Sequence, residues 1–165
     1  MVYQLDFHVD GGCRHNEQGH NVIGAAAAVW NTRYRPVCRS RTLPAFWWDT
    51  APPTNQRAEL TAVMMAQLWA LERYVKLRGD PFARVRIYSD SQYAVNCLNI
   101  WVPRWYRNGW LNARGMAVAN RDLLEHACAL HEAVEQLGSV EYIWIPREQN
   151  QLADECCALA LDQQE

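Results

Sequence analysis

From Val2 to Asp10 the chain alternates apolar and polar positions. Tyr3, Leu5, Phe7 and Val9 point one way while Asp6, His8 and Asp10 point the other, the period of two expected of a half-buried strand. Gly11-Gly12 is expected to break this strand at Asp10. Ile23–Trp30 and Val37–Leu43 read as two more strands joined by turn-like residues 31–36, which predicts a three-stranded antiparallel meander with Pro44–Pro53 as the loop leaving it. The period then changes. Leu60, Val63, Met64, Leu68, Leu71 and Val75 recur at spacings of three and four, predicting a helix over 57–78 that Gly79-Asp80-Pro81 stops. Val85, Ile87 and Ser89 alternate in a fourth strand ending at Asp90, and Tyr93, Ala94, Cys97 and Leu98 suggest a short helix after it. Residues 100–118 hold no sustained period. A helix over 121–137 follows, with Asn120 as its N-cap and Gly138 closing it, then a fifth strand over 140–145 and a last helix over 150–162. The order βββ-α-β-α-α-β-α predicts an α/β fold of mixed character, a five-stranded mixed sheet with the antiparallel meander first and helices on both faces. No repeat, low-complexity segment or linker divides residues 1–165, so one domain is expected.

Length and composition agree with one globular unit. At 165 residues, 50% hydrophobic and 21% charged, the chain is neither a disordered polymer, a collagen nor a coiled-coil rod. Its longest weakly charged apolar stretch, Leu60–Leu71, falls short of the roughly 18 residues a membrane-spanning helix needs. No basic start followed by an apolar stretch suggests a cleaved signal, and any leader would lie outside this chain. The expectation is a soluble monomer without a membrane role. The six cysteines form no CxxC pair and no zinc pattern with the five histidines; free intracellular thiols are expected, the compartment (nuclear, mitochondrial or cytoplasmic) staying open. Cys128, Cys156 and Cys157 fall in helical patterns and read as packing residues.

The net charge of −2 conceals a split. Residues 1–121 carry 15 Lys and Arg against 8 Asp and Glu, or +7, while residues 122–165 carry 1 against 10, or −9. Such asymmetry fits a polyanion-binding surface or ordinary surface composition. Four acids change the picture. Asp10 ends the first strand, Glu59 lies in the first turns of the long helix, Asp90 ends the fourth strand and Asp154 lies near the start of the last helix. Each alone reads equally as a turn or helix-start residue. All four pointed at one spot would repel one another, and a shared hard cation, Mg²⁺ or Mn²⁺, is the economical explanation.

Around these acids stand Asp10-Gly11-Gly12-Cys13, Thr54-Asn55-Gln56-Arg57-Ala58-Glu59-Leu60, Tyr88-Ser89-Asp90-Ser91-Gln92-Tyr93 and Asn150-Gln151-Leu152-Ala153-Asp154-Glu155. In order and separation they resemble the four motifs of the type 1 ribonuclease H family, over essentially the whole chain. The resemblance implies the ribonuclease H-like fold and a metal-dependent endonuclease that hydrolyses the RNA strand of RNA/DNA hybrids, leaving 5′-phosphate and 3′-hydroxyl ends. It implies that Asp10, Glu59, Asp90 and Asp154 hold two Mg²⁺ ions, with Mn²⁺ as a substitute and Asp10 as the bridging ligand. Such a pair activates the attacking water and stabilises the leaving oxygen.

The same resemblance assigns substrate contacts. Gly12, Cys13, Asn16, Asn55 and Gln56 would read the RNA strand, where 2′-hydroxyls distinguish it. Thr54 and Asn120 match the family's DNA-phosphate pocket, and Tyr93, Trp101 and Trp105 its aromatic channel for deoxyribose. Residues 100–118 resemble the basic protrusion of cellular members, with Arg104, Arg107, Arg114 and Arg121 and no acid between 100 and 121; Trp110 also reads as a packing residue. Two departures stand out. The loop before Asp154 reads Trp144-Ile145-Pro146-Arg147-Glu148-Gln149, without the histidine many members carry there, so Arg147 or Glu148 would substitute for it. Pro52 stands where relatives often place an arginine of the phosphate pocket. His8 lies on a strand, and His126 and His131 read as helix-surface residues. Two other classes compete: a weakly active or inactive hybrid-binding module of this fold, including a retroelement-derived domain, and a nuclease for DNA or double-stranded RNA.

Overall fold

A computed structural model of the chain describes residues 1–15 and 21–165. Five strands form one sheet: β1 (Val2–His15), β2 (Val22–Trp30), β3 (Val37–Thr42), β4 (Phe82–Ser89) and β5 (Gly138–Trp144), in the order β3-β2-β1-β4-β5. β1, β2 and β3 pair antiparallel; β4 joins β1, and β5 joins β4, in parallel. The helices are α1 (Asn55–Tyr74), α2 (Gln92–Asn96), α3 (Val102–Asn108), α4 (Arg121–Glu135) and α5 (Gln151–Asp162).

Alternation along β1 decides which helix covers which face. Leu5, Phe7 and Val9 are fully buried in the large core with Ala26 and Ala28 of β2, the apolar face of α1 and Leu123, Leu124 and Ala127 of α4. On the opposite face Ala25 and Ala27 pack against Cys157, Ala160 and Leu161 of α5. β2 is thus covered on both sides, which is why its sequence is a run of four small alanines rather than an alternating pattern. Among the described residues no helix is long and apolar enough to cross a membrane.

Three expectations need correction. Gly11-Gly12 does not end the first strand: β1 continues to His15 because Gly11, Gly12 and Cys13 find partners in Ala26, Ala25 and Gly24. The segment after Asp90 is helical through residue 108, not irregular from 100. α2 passes through a π-helical turn, Cys97–Trp101, where the Val102 N–H reaches the Cys97 carbonyl, and continues as α3. Pro103, without an N–H, cannot serve the regular helical ladder, and a widened turn beside it accommodates that loss. Finally, neither predicted end residue of α4 caps it. Asn120 has a left-handed backbone and no side-chain capping bond, while Gly138 begins β5. A Cβ at Gly138 would lie 2.1 Å from the Ala83 carbonyl oxygen, so glycine there permits β5 to pair with β4.

Candidate active site

The parallel pairing of β1 with β4 ends at Val9 opposite Ser89. Asp10 and Asp90, each the next residue, therefore emerge together where that pairing stops, Asp10 within β1 and Asp90 just past the end of β4. Glu59 arrives from α1 because Gly11 has no side chain: a Cβ there would lie 2.2 Å from the Ala58 backbone and 2.5 Å from the Glu59 nitrogen. Alanine at this position would push α1 off the sheet. Asp154 arrives from α5 on the other face. The start of α5 is tied to β1 by Asn150, buried at 1% exposure, whose Nδ2 donates to the Val9 carbonyl at 2.9 Å. The four carboxylates line one cavity of about 680 Å³ together with Gly11, Gly12, Cys13, Asn55 and Arg147.

Charge at this cavity is poorly compensated. Burial, followed by repulsion from Asp90 and Asp154, raises the Asp10 carboxyl from its ordinary value to about 7. Burial also raises Glu59 and Asp90, against the opposing pull of Ser91 on Glu59 and of Asn150 and Arg147 on Asp90. Arg147 stands 3.6 Å from the Asp154 carboxylate, but its side chain is 80% exposed and solvent screens the pair. Glu148 is not among the residues lining this cavity; it borders a smaller one beside His8 and Asn31. Of the two loop residues, only Arg147 faces the carboxylates.

The remaining predicted contacts form a connected surface. The Cys13 N–H donates to Asn55 Oδ1 at 2.9 Å, tying β1 to the first turn of α1 beside the carboxylates. Thr54 caps α1, its hydroxyl accepting from the Arg57 N–H at 3.1 Å. Asn120, which sequence reading placed as a helix cap, instead donates through Nδ2 to the Tyr93 hydroxyl at 2.9 Å and to Gln56 Oε1 at 3.3 Å. Tyr93, Trp101 and Trp105 then make a row of half-buried rings with centroid separations of 6.3 and 5.8 Å. Arg104, Arg107, Arg114 and Arg121 are exposed around it, and Trp110 is buried. Asn16 lies outside the described residues. His131 is not a free surface residue: its Nδ1 sits 2.9 Å from the Tyr142 hydroxyl.

Two supporting groups escaped sequence reading. Ser91 is 6% exposed; its hydroxyl donates to Glu59 Oε2 at 2.6 Å and accepts from the Ala94 N–H at 3.1 Å. Its place after Asp90 signals only a helix cap, because the partner Glu59 is 32 residues away. Arg57, also buried, donates to Asp49 at 2.6 Å and in bidentate fashion to Asp122 at 2.5 and 2.9 Å, and makes a longer 3.4 Å bond to Asn120. It connects the loop before α1, the start of α4 and the Asn120–Tyr93 contact. No periodicity marks a buried arginine.

Helices on opposite faces of a mixed sheet in this order, with carboxylates gathered where the pairing of its two central strands stops, define the ribonuclease H-like fold. The RNase H family model matches residues 3–161. A ribonuclease H of Mycolicibacterium gilvum is 37% identical over 156 residues, covering 89% of this chain and 85% of that protein. Similar solved structures include LC9-RNase H1, a type 1 RNase H with the type 2 active-site motif (TM-score 0.69, 23% identity, covering 100% of this chain and 75% of that one). LC11-RNase H1 in complex with an RNA/DNA hybrid is another (TM-score 0.63, 19% identity, covering 96% and 97%). The chain belongs to the ribonuclease H family, type 1, and is a hydrolase of that class.

Proposed function

We propose that the protein is an endonuclease for the RNA strand of RNA/DNA hybrids, leaving 5′-phosphate and 3′-hydroxyl ends. The observation that carries this reading is the convergence of Asp10, Glu59, Asp90 and Asp154 on one cavity beside the Cys13–Asn55 link and the Asn120–Tyr93–Trp101–Trp105 surface. A structural neighbour that holds such a hybrid supports the substrate class.

The residues suit a divalent cation. Their donors are carboxylate oxygens, the ligands hard cations prefer, and the raised Asp10 carboxyl marks negative charge that a cation would neutralise. Among the described residues no three His, Cys, Asp or Glu side chains stand in a ready-made metal-holding group, so the fit rests on the chemistry of the four carboxylates that line the cavity. Asp10, Glu59, Asp90 and Asp154 would hold two Mg²⁺ ions, or Mn²⁺ in their place. When bound, such ions supply an activated water and stabilise the leaving oxygen.

The chain's own groups do the rest. Ser91 orients Glu59, and Asn150 fixes the start of α5 and supports Asp90. Arg147 offers a positive charge at the cavity mouth in place of a loop histidine. Gly12, Cys13, Asn55 and Gln56 face the RNA strand with backbone and small polar groups. On the other side Thr54 and Asn120 take a DNA phosphate, and the three aromatic rings take deoxyribose, which packs flat where a 2′-hydroxyl would crowd. The exposed arginines of α3 and the segment after it track phosphates.

Incubation with strand-labelled hybrid, RNA duplex and DNA duplex, in Mg²⁺, Mn²⁺ or EDTA, tests this reading. Cutting of the RNA strand in the hybrid alone, metal-dependent and abolished by Asp90→Asn, is expected. Tight hybrid binding without cleavage under every metal would identify a binding module instead. Ser91→Ala removes both the Glu59 bond and the α2 cap. The expected result is a loss of about 1 kcal/mol in stability and roughly tenfold in turnover, with Ser91→Thr restoring most of both. Thermal unfolding and single-turnover cleavage measure the two effects.

A further inference from the structure

The mechanism above leaves three thiols on or beside α5 and β3 without a role. Cys38 is exposed, Cys156 half-buried and Cys157 buried, and all are free. Strand alternation decides where Cys38 points. Arg39 lies over the Trp69 ring at 4.0 Å and pairs with Glu72 of α1 at 2.7 Å, so it occupies the α1 face of the sheet. Its neighbours Cys38 and Ser40 project from the other face, the one α5 covers. There the Cys156 thiol donates to the Arg39 carbonyl oxygen at 3.8 Å, which sets its Sγ against the β3 backbone between the Cys38 and Ser40 side chains. Cys157, one residue further and about 100° round the helix, turns instead to the Ala25 carbonyl at 3.5 Å. The two adjacent cysteines therefore diverge, while Cys38 and Cys156, far apart in sequence, meet.

We propose that Cys38 and Cys156 are an oxidative modification site at which a peroxide installs a reversible disulfide, stapling α5 to the edge strand β3. The inference is independent of the substrate assigned above. One sulfur attacks the peroxide, the O–O bond breaks, a sulfenic acid forms and water leaves. The second sulfur attacks the first, the S–S bond forms and another water leaves. Both thiol hydrogens and two electrons pass to hydrogen peroxide, giving two waters. Cys38 is open to the oxidant and Cys156 is held against it as the resolving partner. The staple closes most of the chain into one loop, and the loss of unfolded-state freedom raises the unfolding midpoint.

Treatment of the full chain with hydrogen peroxide, followed by non-reducing digestion and mass spectrometry, tests the site. The expected product is a monomer two hydrogens lighter, with Cys38 and Cys156 in one disulfide-linked peptide pair and four of the six thiols still titratable. Its unfolding midpoint should rise by roughly 5–10 °C and return on addition of dithiothreitol. Cys38→Ser, an exposed position that folding tolerates, should abolish both the linked pair and the shift, and Cys128→Ser should keep them. A Cys156–Cys157 linkage, a dimer joined through Cys38, or sulfinic acids at both positions without a disulfide would each overturn the proposal.

Discussion

Replacing Asp10 with asparagine should lower metal-dependent cleavage by at least about a hundredfold, while making the metal-free protein more stable above neutral pH. Changes to groups outside a metal's ligand shell cost roughly 10–100-fold, so loss of a central ligand should reach or exceed that upper bound. The stability effect runs opposite because burial and the neighbouring Asp90 and Asp154 raise this carboxyl to about 7. Protonated Asp10 suits the folded site, and ionised Asp10 opposes it. Its contribution to stability is therefore fully present below the ordinary value of 3.8 and is lost as pH rises through about 7. In EDTA the unfolding midpoint of the unmodified chain should fall across that window, and Asp10→Asn should lose most of the slope. Protons and Mg²⁺ compete for the same oxygen atoms, so calorimetric Mg²⁺ affinity should tighten as pH rises through about 7, more steeply in the unmodified chain than in the variant. An unchanged slope in the variant would falsify the placement of Asp10 at the centre of the charge cluster.

Arg57→Met should be the most destabilising single change outside the apolar core. Two carboxylate partners lose the guanidinium, and they lose unequally. The Asp122 side chain is 46% exposed and regains water, whereas that of Asp49 is 1% exposed and keeps a buried, uncompensated charge. Breaking a buried pair in this way costs about 3–5 kcal/mol, or roughly 10 °C in the unfolding midpoint of a chain this size. Adding Asp49→Ala to Arg57→Met should recover most of the loss, because the stranded charge disappears with it. Thermal unfolding of the single and double variants checks both expectations, and a double variant no better than the single would show that packing, not charge, sets the cost. Through Asn120 the same variant should weaken hybrid binding on the DNA side, since the 3.4 Å contact from Arg57 helps hold Asn120 toward Tyr93.

Where one face of an element is buried, the period of its sequence revealed it. Leu5, Phe7 and Val9 betray β1, because the repeat is the imprint of a single covered surface; the threes and fours from Leu60 to Leu71 located α1 but not its packing, since every residue from Leu60 to Gln67 is buried while Leu68 is exposed. The four acids were legible for a different reason: each stands inside a recognisable local motif. What stayed hidden depends on partners remote in sequence. The extension of β1 through Gly11-Gly12 rests on β2, and the helical run through residue 108 rests on a π turn that admits Pro103. Ser91 looks like a cap until Glu59 is placed against it.

By itself the sequence determined the order of strands and helices, the four carboxylates and the family motifs around them. Only the tertiary structure decided that Asp10 and Asp90 emerge side by side, that Gly11 admits the α1 backbone carrying Glu59, and that α5 brings Asp154 from the opposite face. It alone turned Asn120 toward Tyr93, sent Arg147 rather than Glu148 to the cavity and set Cys156 against the strand that carries Cys38. The physical reason is one of range. Backbone preference and amphipathic period act over a few residues and are written locally. Desolvation, charge repulsion and strand register act between groups dozens of residues apart, and their outcome exists only once the chain has closed on itself.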